Sequence, residues 1–182
     1  MTLGLIGLSL MFAIIVWGAS HIISKSTSIT LSDFIEQGDY EGLSLTIYFC
    51  SPHHHIRMPL SVRSLTEDFH EYRVTVQGAT RQLILFDMLS NLADVELIPI
   101  ENETQAICVR IHYVFETENG QNIFDVTWGW GREANLIVNG LAVKENAIFL
   151  EVIKPFLPAR AAYELELQLN RQDWDRAFPS GQ

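Results

Sequence analysis

Two Asn-Gly pairs, Asn119-Gly120 and Asn139-Gly140, fall inside one apolar-alternating stretch that runs from Ala106 to Val143. Before the first pair, Ile107, Val109, Ile111, Tyr113 and Phe115 alternate with Cys108, Arg110, His112 and Val114. Alternation with period two is the pattern of a half-buried strand, and Asn-Gly supplies the two positive φ angles of a type I′ hairpin turn. The return limb carries Phe124, Val126, Trp128 and Trp130 on one face, with Ile123, Asp125 and Thr127 on the other. The second Asn-Gly folds Leu136-Ile137-Val138 onto Leu141-Ala142-Val143. Two hairpins in series therefore form the frame of the fold. An apolar sheet face must be covered. The cover expected is a helix from Arg81 to Leu92, with Thr80 as N-cap and Leu85, Met88, Leu89 and Leu92 on one face.

Further strands are expected at Leu43 to Cys50, stopped by Ser51-Pro52, at Tyr72 to Val76, and at Val95 to Ile100, where Pro99 marks an edge. Ser32 to Gly38 reads as a short capped helical turn. Ala147 to Lys154 fits either a short helix stopped by Pro155 or another strand. Tyr163 to Asn170 alternates like a strand, but its residues are helix formers and Ala162, Leu165 and Leu169 make a helical stripe, so the tail is read as helix. The fold class expected is α+β: a mostly antiparallel, twisted sheet of five or more strands with a helix on one face, preceded by an N-terminal hydrophobic helix. The domain plan is an anchor or uncleaved signal at 1–25, a linker at 26–42, a single α+β domain at 43–178 and a frayed tail at 179–182.

Leu3 to Ile23 contains no Asp, Glu, Lys or Arg. A charge-free run of that length matches the ~20 residues that cross the hydrocarbon as a helix. Trp17 and His21 lie near its end, where amphipathic rings suit the interface. The run continues past the small residues Gly18-Ala19-Ser20 through Ile22 and Ile23, which favours a retained anchor over a cleaved signal. The formal charge is −10 and no Lys/Arg block is present, which argues against a nucleic-acid partner.

Three features carry candidate chemistry. His53-His54-His55 offers imidazoles; His53 and His55, completed by His112, are the candidate metal ligands, but consecutive residues of an extended loop point alternately. Trp128 and Trp130, with the neighbouring Arg132, are the candidate binding residues: either an aromatic platform for a partner, or core side chains beside a bulge at Gly129. Cys50 and Cys108 are either two buried thiols or, in an oxidising compartment, a disulfide between neighbouring strands. Arg110, His112 and Asp125 are expected on one sheet face, with a cross-strand ion pair as the simplest outcome. No nucleophile elbow, phosphate loop or dinucleotide fingerprint is present, and the residues designate neither a catalytic group nor a cofactor.

The hydrophobic N-terminus, then Val74-Thr75-Val76, the capped helix Arg81 to Leu92 and the hairpins ending in Ile137-Val138-Asn139-Gly140, resemble the small membrane-anchored extracytoplasmic domains of unknown function found in Gram-positive bacteria. The resemblance covers most of residues 43–157. It implies a single-pass membrane protein with its domain outside, and implies no reaction and no site residues. The functional expectation is a membrane-tethered, non-enzymatic binding module at the cell envelope, docking a peptide or protein on a sheet edge or on the aromatic strand. The alternatives are a metal-binding enzyme or metal sensor using the His53 to His55 loop, and an accessory subunit of a membrane complex.

Overall fold

The structure is a computed structural model that describes residues 31–38, 40–100, 107–130 and 135–177, with side chains described as far as Asn170. The Leu3 to Ile23 run, Arg132 and the end of the tail lie outside the described residues. Among the described residues, no helix is long and apolar enough to cross a membrane.

Six antiparallel strands form one sheet in the order β2-β1-β3-β4-β5-β6: β1 Ser44–Phe49, β2 Tyr72–Val76, β3 Cys108–Glu116, β4 Asn122–Trp130, β5 Leu136–Val138 and β6 Leu141–Val143. The α+β expectation holds for this sheet and its helices. One face is apolar across the whole width: Leu45, Ile47 and Phe49 from β1, Ile111, Tyr113 and Phe115 from β3, Phe124, Val126 and Trp128 from β4, and Leu136 and Val138 from β5 are all buried. Helices cover that face, as a one-sided apolar sheet requires. They are α1 (Leu31–Gln37), α3 (Ala79–Ala93), α4 (Ile148–Glu151) and α5 (Ala159–Ala177). They bury Phe34, Leu85, Leu89, Leu92, Phe149, Leu150, Ala161 and Leu165 against it. The hydroxyl of the fully buried Tyr113 donates to the Phe149 carbonyl at 2.9 Å, so the ring brings no unsatisfied polar group into the core.

The expected alternation breaks at two bulges. On β3, Val109 pairs with Gly129 and Ile111 with Trp128, so Arg110 is an extra residue. On β4, Phe124 pairs with Phe115 and Asn122 with Glu116, so Ile123 is extra, and it joins the main core instead of facing away from it. An inserted residue reverses the side-chain alternation beyond it. Ile107 and Val109 therefore leave the main core and pack in a second cluster with Cys50, Leu60 and Leu65. The helical segment α2, Val62–Ser64 running on as a π-helical turn at Leu65–Phe69, supplies Leu65 to that cluster.

Three local expectations are corrected. Asn119-Gly120 does not form a type I′ turn, because only Gly120 has positive φ (72°). Gly120 N–H donates to Thr117 O at 2.9 Å and Thr117 N–H to Gln121 O at 3.0 Å, the three-residue loop that ends in a left-handed glycine. Asn139 (48°) and Gly140 (75°) do provide both positive angles. Gly78, at φ 104°, caps α3, so Thr80 lies inside its first turn. The stretch around Pro99 adds a single bridge to Val143, flanked by Lys144 N–H to Ile98 O and Ile100 N–H to Ala142 O. Proline has no N–H with which to extend that ladder.

Candidate functional site

The β3 bulge positions the site. Ser51-Pro52 ends β1, and the loop turns back at once: His53 N–H donates to Ser51 Oγ at 3.1 Å and His54 N–H to Ser51 O at 3.1 Å. His54 Nδ1 lies 2.6 Å from Glu71 Oε1, which ties the loop to the start of β2. Opposite, the Cys50 N–H donates to Arg110 O at 2.8 Å. The Arg110 side chain runs inward under the loop and is only 2% exposed. Its Nη1 donates to Ser51 O at 3.2 Å and His54 O at 3.1 Å and lies 3.7 Å from Cys50 Sγ.

Gly129 permits the bulge, because a Cβ there would collide with the Cys108 carbonyl. The next residue, Trp130, is 45% exposed and lays its ring over the Arg110 guanidinium, 4.8 Å from centroid to Cζ. Such a cation–π contact contributes about 0.5–2 kcal/mol, more as water is excluded. Pro52, His53, His54, His55, Ile56, Arg110, Trp130 and Gln168 of α5 enclose a pocket of about 270 Å³. The histidine loop and one of the two tryptophans therefore converge at one end of the sheet.

Burying a guanidinium costs several kcal/mol unless its donors are met. Two carbonyls and an indole face meet part of that demand. The Arg110 Nε–H is shielded from water and has no acceptor among the described residues, an unmade bond that costs about 1–3 kcal/mol. Beneath the same loop, burial pushes the Cys50 thiol above its ordinary range, with the Arg110 guanidinium opposing.

The residues singled out from the sequence separate. Trp128 is fully buried on the helix-covered face, and its Nε1 donates to Glu145 Oε1 at 2.7 Å, so it cannot serve as a docking surface. Trp130 is the exposed member of the pair, and Arg132 is outside the described residues. His112 does not join His53 and His55. It lies on the other face of the sheet, hydrogen-bonded through Nδ1 to Thr127 Oγ1 at 3.0 Å and stacked against Tyr48 with centroids 6.3 Å apart. Among the described residues, no three or more His, Cys, Asp or Glu side chains are placed to hold a metal ion. Cys50 and Cys108 are both free thiols. The expected ion pair between Arg110 and Asp125 is absent, since the bulge turns Arg110 away and Asp125 Oδ1 accepts from Asn122 Nδ2 at 3.3 Å.

Sequence reasoning missed Arg110 and Gln168 as pocket residues. The signal available for Arg110 was Gly129, a strand glycine that marks a close backbone approach. What the pocket assembles is a cation, an exposed indole, imidazoles and an amide, which is chemistry suited to recognition. Comparison with protein-family models, curated proteins and solved structures finds no match.

Proposed function

We propose that this chain is a membrane-tethered, non-enzymatic binding module of the cell envelope, which docks a peptide or protein partner at the Trp130 end of its aromatic strand. The carrying observation is Trp130, a half-exposed indole on the rim of a pocket and stacked on a buried arginine. Tryptophan and arginine are the side chains that most often anchor interfaces, above all when they sit together in a pocket. The uncharged run from Leu3 to Ile23 supports the tether, and the likeness to small envelope domains supports an outside orientation.

Exchanging Trp130 separates docking from stability. Trp130→Ala removes one cation–π contact and a half-exposed ring, so it is expected to cost about 1–2 kcal/mol in a urea melt. Trp128→Ala, which empties a core site, is expected to cost about 3–5 kcal/mol. A partner cross-linked to the wild-type chain in intact membranes is lost from Trp130→Ala. Retention of that partner by a folded Trp130→Ala chain would refute the reading.

A further inference from the structure

Arg110 brings a full positive charge to the pocket wall, and none of the ion pairs among the described residues involves it. Among the described residues, no acid lines the pocket. Carbonyls hold Nη1 in place. The face of the guanidinium belongs to Trp130, whose electron-rich ring repels an anion. That leaves the edge that carries Nε–H, a donor without an acceptor among the described residues. Gln168, itself only 8% exposed, adds an amide to the same wall.

We propose that the docked partner presents a carboxylate to this pocket, received on the Nε edge of Arg110 beneath Trp130. The proposal rests on the docking reading above and names the group that docks. A guanidinium is a rigid planar fork matched to two carboxylate oxygens. One such cation balances one negative charge. A carboxylate meets that balance, whereas a phosphate dianion would leave excess charge inside a chain that already carries −10. Nε is shielded in this structure, so the carboxylate reaches it only as the groups that cover it move aside.

The test is a nuclear magnetic resonance titration of the full chain in detergent, with arginine labelled and the Arg110 Nε–H resonance followed directly. Arg110→Lys assigns the resonance by its loss. Should that variant not fold, Trp130→Phe assigns it through the changed ring current. Sodium acetate is compared with sodium chloride and sodium phosphate at matched ionic strength. The expected result is a saturable downfield shift of this resonance with acetate and none with chloride. No response to acetate, or saturation by phosphate at lower concentration than by acetate, overturns the proposal.

Two Ser-Gly peptides with a single Glu, one with a free and one with an amidated C-terminus, then locate the carboxylate. Equal saturation by both assigns a side-chain carboxylate, and a response to the free acid alone assigns a chain terminus. A response to neither overturns the proposal for peptide partners. Failure of the docking reading is distinguishable. In that case acetate still saturates the resonance, but Trp130→Ala retains the partner. If only the carboxylate assignment fails, the partner is lost from Trp130→Ala while the resonance ignores acetate.

Discussion

Arg110 stands at a position where strict alternation would send it to the open face beside His112 and Asp125, and one unpaired residue in the ladder sends it under the histidine loop instead. Alternation reads faces correctly until a residue is inserted, and the insertion on β3 leaves almost no trace in the residues around it. Gly129 was the trace here, and it fixed the bulge without naming the residue that bulges. The same side-chain reasoning could not divide Trp128 from Trp130, because they share a strand face and only Trp128 falls within the main core. Gly129→Ala is expected to cost about 1–3 kcal/mol, as overpacking against fixed backbone does. An unchanged melt of that variant would contradict the close approach to Cys108.

His112 gives a pH prediction. Burial lowers its pKa below the ordinary 6.5, with Asp125 pulling weakly the other way. Above that value the imidazole is neutral in both states. As pH falls below it, the unfolded chain takes up the proton first, so stability declines until pH has passed the folded pKa. Between pH 7.5 and 5.5 the melting midpoint of the wild type should therefore fall further than that of His112→Gln. Parallel curves would show that His112 is not held neutral.

At the level of elements, the hairpins, the β1 and β2 strands and the covering helix were legible in the sequence, since each rests on a long periodic run or a specific turn pair. Leu85 and Leu89 are both fully buried, as the helical spacing required. Leu89→Ala should lower stability by about 2–5 kcal/mol in a urea melt. A midpoint unchanged within error would make α3 peripheral. The tail shows helix-forming residues overriding a period-two pattern: Ala161 and Leu165 are buried, while Tyr163 and Leu167, which strict alternation would group with Leu165, stay exposed. The α2 segment was not legible. Its turns are short, and its contribution to the core is one leucine packed on a cluster that exists only because of the β3 bulge.

Across the whole molecule, the sheet has one face closed by helices and a second that carries Thr46, Thr75, His112 and Thr127 beside the smaller apolar cluster. Two routes for docking were open from the sequence, a sheet edge and the aromatic strand. Among the described residues, the segment around Pro99 lies along β6, and β2 is the outer strand at the opposite side. The Trp130 pocket differs from β2 in its chemistry, offering an indole, a buried cation and imidazoles where β2 offers backbone groups beside the exposed Arg73 and Thr75. Photo-crosslinking in intact membranes decides between them most directly, with a benzophenone amino acid replacing Trp130 in one chain and Thr75 of β2 in another. The pocket account predicts a defined partner adduct from position 130 and none from position 75. An adduct from position 75 alone, or from neither position, would contradict it.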